Sequence, residues 1–273
     1  MPKIMGILNV TPDSFSDGGL FLQIEPAVKR AWEMVGEGAD IIDIGGQSSR
    51  PGAPLLDWSE EASRVIPIIQ ALHDLPVPIS IDSFHPEVQR RAIDAGAQMV
   101  NDIRGFEMPG ALEFVASTAS SISFCLMHMQ GNPQTMQTNP QYQKVVEEVK
   151  AYLSDRVQCL LELGVMRERI YIDPGFGFGK SPAHNLVLLQ ELASFKTLGV
   201  KILVGLSRKS LIGHLLNRPV EDRLAGSLAL ALIAAMKGAD VLRVHDVVQT
   251  SDALRMWNAV EFAGSNGSHT KVG

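Results

Sequence analysis

Eight short runs rich in β-branched and other apolar residues, at 4–8, 40–44, 77–81, 98–101, 122–127, 170–172, 200–204 and 241–244, alternate with stretches of helical periodicity. Helices are expected at 26–37, 60–72, 87–95, 145–163 and 224–237, most of them ending at glycine or, after Leu72, at a Leu-Pro step. Strands that alternate with helices pair in parallel beneath helical layers. Eight such units in about 250 residues match a closed (β/α)8 barrel, the TIM barrel, better than an open doubly wound sheet. The predicted fold class is therefore α/β, with one domain over residues 1–263 and a tail, 264–273, that reads as disordered. Glu37-Gly38-Ala39-Asp40, Ala95-Gly96-Ala97-Gln98, Glu162-Leu163-Gly164-Val165 and Lys237-Gly238-Ala239-Asp240 repeat one device. In each, a helix stops at glycine and the chain re-enters the barrel floor.

Charge narrows the functions open to such a barrel. The 24 Lys and Arg against 30 Asp and Glu leave a net charge of −6, which argues against a nucleic-acid or anionic-membrane surface. An anionic substrate must then be met by a local cationic pocket. Of the two cysteines, Cys125 lies in an apolar run and reads as a buried free thiol, in keeping with a reducing cytoplasm. The start, Met1-Pro2-Lys3, is followed by too few apolar residues for a signal sequence. The longest apolar stretch, 228–236, falls short of the roughly 20 residues that a membrane helix needs. A soluble cytoplasmic protein is expected, with no nucleic-acid or membrane partner.

Two loops break the economy of the pattern. Most βα connections run about two to six residues, yet 9–21 and 45–57 each span thirteen residues dense in Gly, Pro, Ser and Asp. Both follow strands, and in a barrel that face carries catalysis, so both are candidates to close over a ligand. Polar groups also follow nearly every apolar run: Asn9, Asp43 with Gln47, Asp82, Asn101 with Asp102, His128, Asp173, Ser207-Arg208-Lys209, and Arg243 with His245. A single Asp there is a helix cap. A whole ring of carboxylates, amides and cations suits a site that reads a polar heterocycle and an anion.

The glycine-rich stretch Asp173-Pro174-Gly175-Phe176-Gly177-Phe178-Gly179-Lys180-Ser181 is not a phosphate loop, because the first required glycine falls on Pro174. Its glycines are expected to let backbone approach a flat ligand, with Phe178 as a packing surface. Ser207-Arg208-Lys209-Ser210 opens a short helix and is expected to set two cations and free N–H groups around an anion or a carbonyl oxygen. Arg243 and His245 share one side of the last strand and, with Asn9, could grip a diphosphate and its metal.

Several ordered motifs go further. They are Met5-Gly6-Ile7-Leu8-Asn9-Val10-Thr11-Pro12-Asp13-Ser14-Phe15-Ser16-Asp17-Gly18-Gly19, Asp43-Ile44-Gly45-Gly46-Gln47-Ser48-Ser49-Arg50-Pro51-Gly52, Leu126-Met127-His128-Met129-Gln130-Gly131-Asn132-Pro133, Asp173 to Lys180, Gly205-Leu206-Ser207-Arg208-Lys209-Ser210 and Arg243-Val244-His245-Asp246. On these, from about residue 4 to about residue 255, the chain resembles the dihydropteroate synthases, the folate-pathway enzymes that sulfonamides inhibit.

The resemblance implies condensation of a dihydropterin hydroxymethyl diphosphate with 4-aminobenzoate, Mg²⁺ assisting the loss of diphosphate. Asp82, Asn101, Met127, Asp173, Phe178, Gly205 and Lys209 would bind the pterin, with Asp82, Asp173, Lys209 and Arg243 as the catalytic set. Asn9, Ser49, Arg243 and His245 would hold the diphosphate, and Asn9 the metal. Phe15, Asp17, Ser49, Arg50, Pro51 and Ser210 would form the loops and the aminobenzoate pocket. The reaction implied is dissociative, through a pterin-methyl cation, with the loops excluding water. A homodimer through late-barrel helices is implied as well, with 228–236 and Trp257 compatible with it or with core packing.

Three departures stand out: Gln47-Ser48-Ser49-Arg50 where the family commonly has Glu-Ser-Thr-Arg, Ser83 where it has Thr, and a shorter segment before the first strand. Two other readings share the barrel. A pterin-binding methyltransferase domain would not need Ser49-Arg50-Pro51, the Ser207 to Ser210 segment or Arg243-Val244-His245. A non-catalytic pterin-binding paralogue would be expected to lose such groups first.

Overall fold

The computed structural model describes residues 1–10, 20–47, 56–118, 122–131 and 135–263, with the side chains of 20–23 left aside. The strands are β1 (Lys3–Asn9), β2 (Ile41–Gly45), β3 (Ile79–Asp82), β4 (Met99–Asp102), β5 (Ser123–Met127), β6 (Ile170–Asp173), β7 (Lys201–Val204) and β8 (Val241–Val244). Neighbours pair in parallel in sequence order, and β8 returns to β1 through Lys3↔Val241 and Gly6↔Val244, so the sheet closes. This is the (β/α)8 barrel expected. The helices are α1 (Leu20–Gly36), α2 (Trp58–Ala71), α3 (Pro86–Asp94), α4 (Ala111–Ser117), α5 (Val145–Glu162), α6 (Pro182–Gln190), α7 (Ser210–Leu216), α8 (Leu224–Met236) and α9 (Val247–Glu261). None of the described helices is long and apolar enough to cross a membrane.

Alternation along each strand sorts its side chains into two sets. Ile42, Ile44, Ile79, Ile81, Val100, Phe124, Leu126, Ile170, Ile172, Ile202, Val204, Leu242 and Val244 join the main core between sheet and helices. Met5, Ile41, Met99, Cys125, Tyr171, Leu203 and Val241 form a separate buried layer inside the barrel, which closes its floor. Two residues further along the same strands stand Asp43, Asn101, Met127, Asp173, Gly205 and Arg243; Asp82 pairs with Asn101 at that level. The polar ring is the layer above an apolar plug.

The repeated glycine phrase does what its pattern implies. Ala39, Ala97, Val165 and Ala239 donate to the carbonyls of Met34, Ala92, Leu160 and Ala234, while the glycines at 38, 96, 164 and 238 bond three residues back with φ between 86° and 116°. This double bond, built on a left-handed residue, ends the helix and turns the chain inward. The next residue then ties adjacent strands: Asp40 Oδ2 accepts from Ile4 N at 2.8 Å, Gln98 Oε1 from Ile79 N at 3.3 Å, and Asp240 Oδ2 from Ile202 N at 2.8 Å.

Two boundaries differ from expectation. α1 begins at Leu20 and carries Pro26 inside it, so the proline is not the first helical residue. Proline favours the first turn but does not require it. β3 begins at Ile79 because Pro76 and Pro78 precede it, and proline cannot donate to the ladder. The first long loop thus ends two residues early, and the second runs to Asp57, which caps α2 through Ser59 N at 2.9 Å. Residues 11–19 and 48–55 of these loops, and the tail 264–273, lie outside the described residues.

Candidate active site

Arg243, at the end of β8, reaches across the barrel mouth. Its Nε donates to Asp43 Oδ2 and its Nη2 to Asp82 Oδ2, each at 2.6 Å. Asn101 Nδ2 donates to the same Asp43 oxygen at 3.2 Å. Asp43 is fully buried, while the Arg243 and Asp82 side chains are 19% and 14% exposed, so the ion cluster lies just beneath the opening. An arginine fork is charged at any ordinary pH and can meet two carboxylates at once.

The opposite wall is built by the loop after β6. Asp173 accepts from Gly175 N at 2.7 Å. Lys209 Nζ donates to the Phe176 carbonyl and sits 4.4 Å from the centroid of the Phe178 ring. Phe178 packs beside Phe84, Ile103 and Met127, an apolar shelf next to the charged groups. Gly205 adds no side chain between Asp173 and Arg243: a Cβ there would lie 4.0 Å from Asp173 Oδ2 and from Arg243 Cβ. Asp82, Asn101, Met127, Asp173, Phe178, Gly205, Lys209 and Arg243 thus all stand at the strand ends on one face of the barrel, linked in turn by the contacts above.

Three carboxylates therefore face two cations in a confined space. Burial raises Asp82 above its ordinary 3.8, against the pull of Arg243, and raises Asp173 against the pull of Lys209. Burial lowers Lys209 to about 8, with Asp173 opposing. Arg243 is pulled down by burial, yet Asp43 and Asp82 more than offset this and hold its pKa above the usual value. Two acids with raised values on the two sides of the mouth, one of them beside a cation of lowered value, mark a site built for charge to change.

Asn9 ends β1 on the same level, its Oδ1 3.8 Å from where a Gly45 side chain would stand, with Asp82 Oδ2 3.6 Å from that point. Among the described residues no group of three His, Cys, Asp or Glu side chains could hold a metal. Asn9 offers one hard oxygen, which fits Mg²⁺ only where substrate phosphates and water complete the shell. His245 lies at the rim, its N and Nδ1 3.2 and 3.1 Å from Ser207 Oγ, and Ser210 is exposed as the first residue of α7. Phe15, Asp17, Ser49, Arg50 and Pro51 lie outside the described residues.

Not every polar residue that follows a strand belongs to the mouth. Asp102 and His128 fall on the outward side. Asp102 Oδ2 accepts from Gln89 on α3 at 2.9 Å, and burial lifts its pKa to about 6. His128, driven down to about 3 by burial and then by Lys180, accepts at Nδ1 from Lys180 Nζ at 2.9 Å. Lys180 also donates to the carbonyls of Gly175 and Phe178 at 2.9 and 3.0 Å, clamping the glycine loop on the turn after β5. A Cβ on Gly175 would overlap the His128 carbonyl. That glycine serves close approach of chain to chain, and the expected approach to a ligand is corrected accordingly.

Arg208 is a second correction. It stands apart from Lys209, with φ at 58° and its guanidinium locked on Asp246 through Nη2 to Oδ1 and Nε to Oδ2, the latter at 3.0 Å. Its N–H donates to Ser227 Oγ at 2.9 Å, and its carbonyl accepts from Arg223 at 3.0 Å. The left-handed backbone, unusual for a side chain, turns Lys209 inward while Arg208 points out. One cation, not two, enters the mouth from this segment. Two of the departures are accommodated: Gln47 Oε1 accepts from Leu56 N at 3.1 Å, as a carboxylate could, and Ser83 Oγ donates to buried Glu61 at 3.1 Å, where a hydroxyl is all that is needed.

Comparison with known proteins places this geometry. The pterin-binding enzyme family matches residues 5–245. The dihydropteroate synthase of Escherichia coli (strain K12) is 50% identical over 266 residues, covering 97% of this chain and 94% of that protein. The Yersinia pestis dihydropteroate synthase, solved as a sulfonamide drug complex, superposes with a TM-score of 0.89 at 44% identity, covering 95% and 94%. The Xanthomonas albilineans enzyme, solved with 4-aminobenzoic acid, gives 0.89 at 48% identity over 95% and 93%; its complex with 7,8-dihydropteroate gives 0.86 at 46% over 95% and 94%.

The left-handed Arg208 makes a measurable claim. Arg208→Gly keeps the backbone turn and is expected to hold pterin within about threefold of the parent, since glycine adopts positive φ at no steric cost. Arg208→Ala pays about 1–2 kcal/mol for that conformation without the ion pair to hold it, and pterin affinity should fall at least fivefold. Equal affinities for the alanine variant and the parent, by calorimetric titration, would remove Arg208 from the placement of Lys209.

Proposed function

The chain belongs to the dihydropteroate synthases, a family of pterin-binding enzymes, and from that premise we propose how its own residues divide the reaction. It joins (7,8-dihydropterin-6-yl)methyl diphosphate to 4-aminobenzoate, giving 7,8-dihydropteroate and diphosphate. The observation that carries the division of roles is the charge cluster at the strand ends, in which Arg243 ties Asp82 and, through Asp43, Asn101, while Lys209 feels Asp173, Arg243 and Asp82.

Asp173 and Asn101 accept N–H bonds from the amino-pyrimidinone edge, Asp82 faces the remaining ring nitrogens, and Lys209 holds the side of the ring carbonyl. Met127, Phe178 and Gly205 give the flat ring an apolar wall and room. Arg243 and His245, with Ser49, hold the diphosphate. Asn9, with oxygens of the substrate, would hold Mg²⁺, which would supply charge neutralisation for the departing diphosphate. The C–O bond breaks with its electron pair leaving on diphosphate, and the excess carboxylate charge of the mouth favours the cation left on the pterin methyl group. The 4-aminobenzoate nitrogen attacks that carbon and then loses a proton. Phe15, Asp17, Ser49, Arg50, Pro51 and Ser210 form the aminobenzoate pocket, where sulfonamides compete, and they keep water, the competing nucleophile, from the cation.

Two unpaired cysteines, Cys125 buried, fit a reducing cytoplasm. A homodimer through the late helices is the further part of this reading. α8 turns Ser227, Ala231, Ala234 and Ala235 to the barrel and leaves Leu224, Ile233 and Met236 exposed, while Trp257 of α9 packs against the core. Large apolar side chains outside small ones suit a second copy of the same surface. Sedimentation should give twice the chain mass at micromolar concentration, with Ile233→Glu shifting it to monomer; a monomeric parent would exclude the dimer.

Diphosphate release should require 4-aminobenzoate, with dihydropteroate as product; tight pterin binding without turnover would instead favour a non-catalytic protein. Asp173→Ala should abolish pterin binding, and unchanged affinity would refute its role. Arg243→Ala would strand two buried carboxylates, a loss of about 3–5 kcal/mol in stability. The informative change is Arg243→Lys, which keeps the charge but not the fork. KM for the diphosphate substrate should rise at least tenfold while a diphosphate-free pterin binds within about threefold; equal losses for both would take Arg243 out of the anion site.

A further inference from the structure

Asp43 carries no role in the division above, yet it stands at the centre of the ring. One of its oxygens, Oδ2, accepts from Arg243 Nε at 2.6 Å and from Asn101 Nδ2 at 3.2 Å. The other, Oδ1, is buried with no partner among the described residues. Leaving a buried acceptor unpaired is costly, so a carboxylate here is a poor choice for packing alone. The residue is wholly buried, so it can act on a ligand only through the groups it touches.

The two oxygens of a carboxylate paired with guanidinium can only accept. Asn101 must therefore turn its Nδ2 toward Asp43, and the opposite corner of its amide, Oδ1, faces away from it. An asparagine without such a neighbour presents either corner, because the two are alike in size. We propose that Asp43 is a positioning and specificity-determining residue that fixes the sense of the Asn101 amide, so that the mouth offers acceptors, Asn101 Oδ1 and the Asp173 carboxylate, to a ligand edge bearing an amino group. The inference rests on the pterin reading of Asn101 and Asp173. It adds that the site selects 2-amino pterins against 2-oxo pterins of the same shape, and that Asp43 sets much of that selection at one remove.

The test is calorimetric titration with a 2-amino pterin and its 2-oxo counterpart, both free of diphosphate. The parent protein should favour the amino compound by at least about a hundredfold, as expected when a mismatched ligand leaves buried acceptors facing an oxygen. Asp43→Asn keeps the shape but can donate as well as accept, so Asn101 is free to reverse. The preference should narrow at least tenfold, with affinity for the amino compound falling less than the preference does. In an Asn101→Ala background the same change should leave the preference unaltered. An unchanged preference in Asp43→Asn overturns the proposal. So does a parent that binds both pterins within about threefold, a result that stands even if the variant does not fold. Undiminished pterin binding by Asp173→Ala would instead overturn the pterin reading itself, and the two failures are thereby told apart.

Discussion

The burial of Arg243 between Asp43 and Asp82 is the interaction on which the rest of the mouth depends. A guanidinium placed there holds two carboxylates that would otherwise repel each other, and through Asp43 it reaches Asn101. Breaking such a cluster from one side leaves charges with neither water nor partner. Asp173 and Lys209 complete the set on the far side, and the sum is one carboxylate in excess. A mouth poised in this way favours positive charge on the ligand, and an anion entering it must bring or meet cations at the rim.

Around this core the fold spends unusual conformations to hold two loops. Lys180, buried and with its pKa lowered to about 7 by burial, binds the loop after β6 to the turn after β5 from behind. Gly175 permits a contact between backbones that no side chain would allow. Arg208 and Asp246 join the loop after β7 to the end of β8, and Ser207 with His245 adds a second rung beside them. His245 apart, these residues have no part in holding ligand. Their effect is to set where Phe178, Lys209 and Arg243 stand, which is the precision a binding site on loops needs from its support.

Much of this is legible in the residues themselves. The eight runs and the glycine phrases are enough for the closed barrel, because each unit obeys local rules of strand, helix and cap. Strand alternation also separates Asn101 from Asp102 and Met127 from His128, since neighbours on a strand face opposite ways; a list of polar residues after strands merges them. What local rules do not contain is contact at a distance. Asp43 finds Asn101 and Arg243 across the barrel, and the left-handed turn at Arg208 depends on Asp246 and Ser227 in later units. Nor does a Ser-Arg-Lys string reveal which cation turns in, for both are long, charged and adjacent.

The central claim is that the mouth is an over-acidic, dehydrated charge cluster, and the most direct measurement is the titration of its carboxyls. The side-chain carboxyl carbon of Asp82, identified by its loss in Asp82→Asn, can be followed by NMR against pH in the free protein. Its midpoint should lie well above 3.8, because dehydration and the neighbouring carboxylates outweigh Arg243. A midpoint at or below 3.8 would contradict this, showing a carboxylate either open to water or fully compensated by its guanidinium.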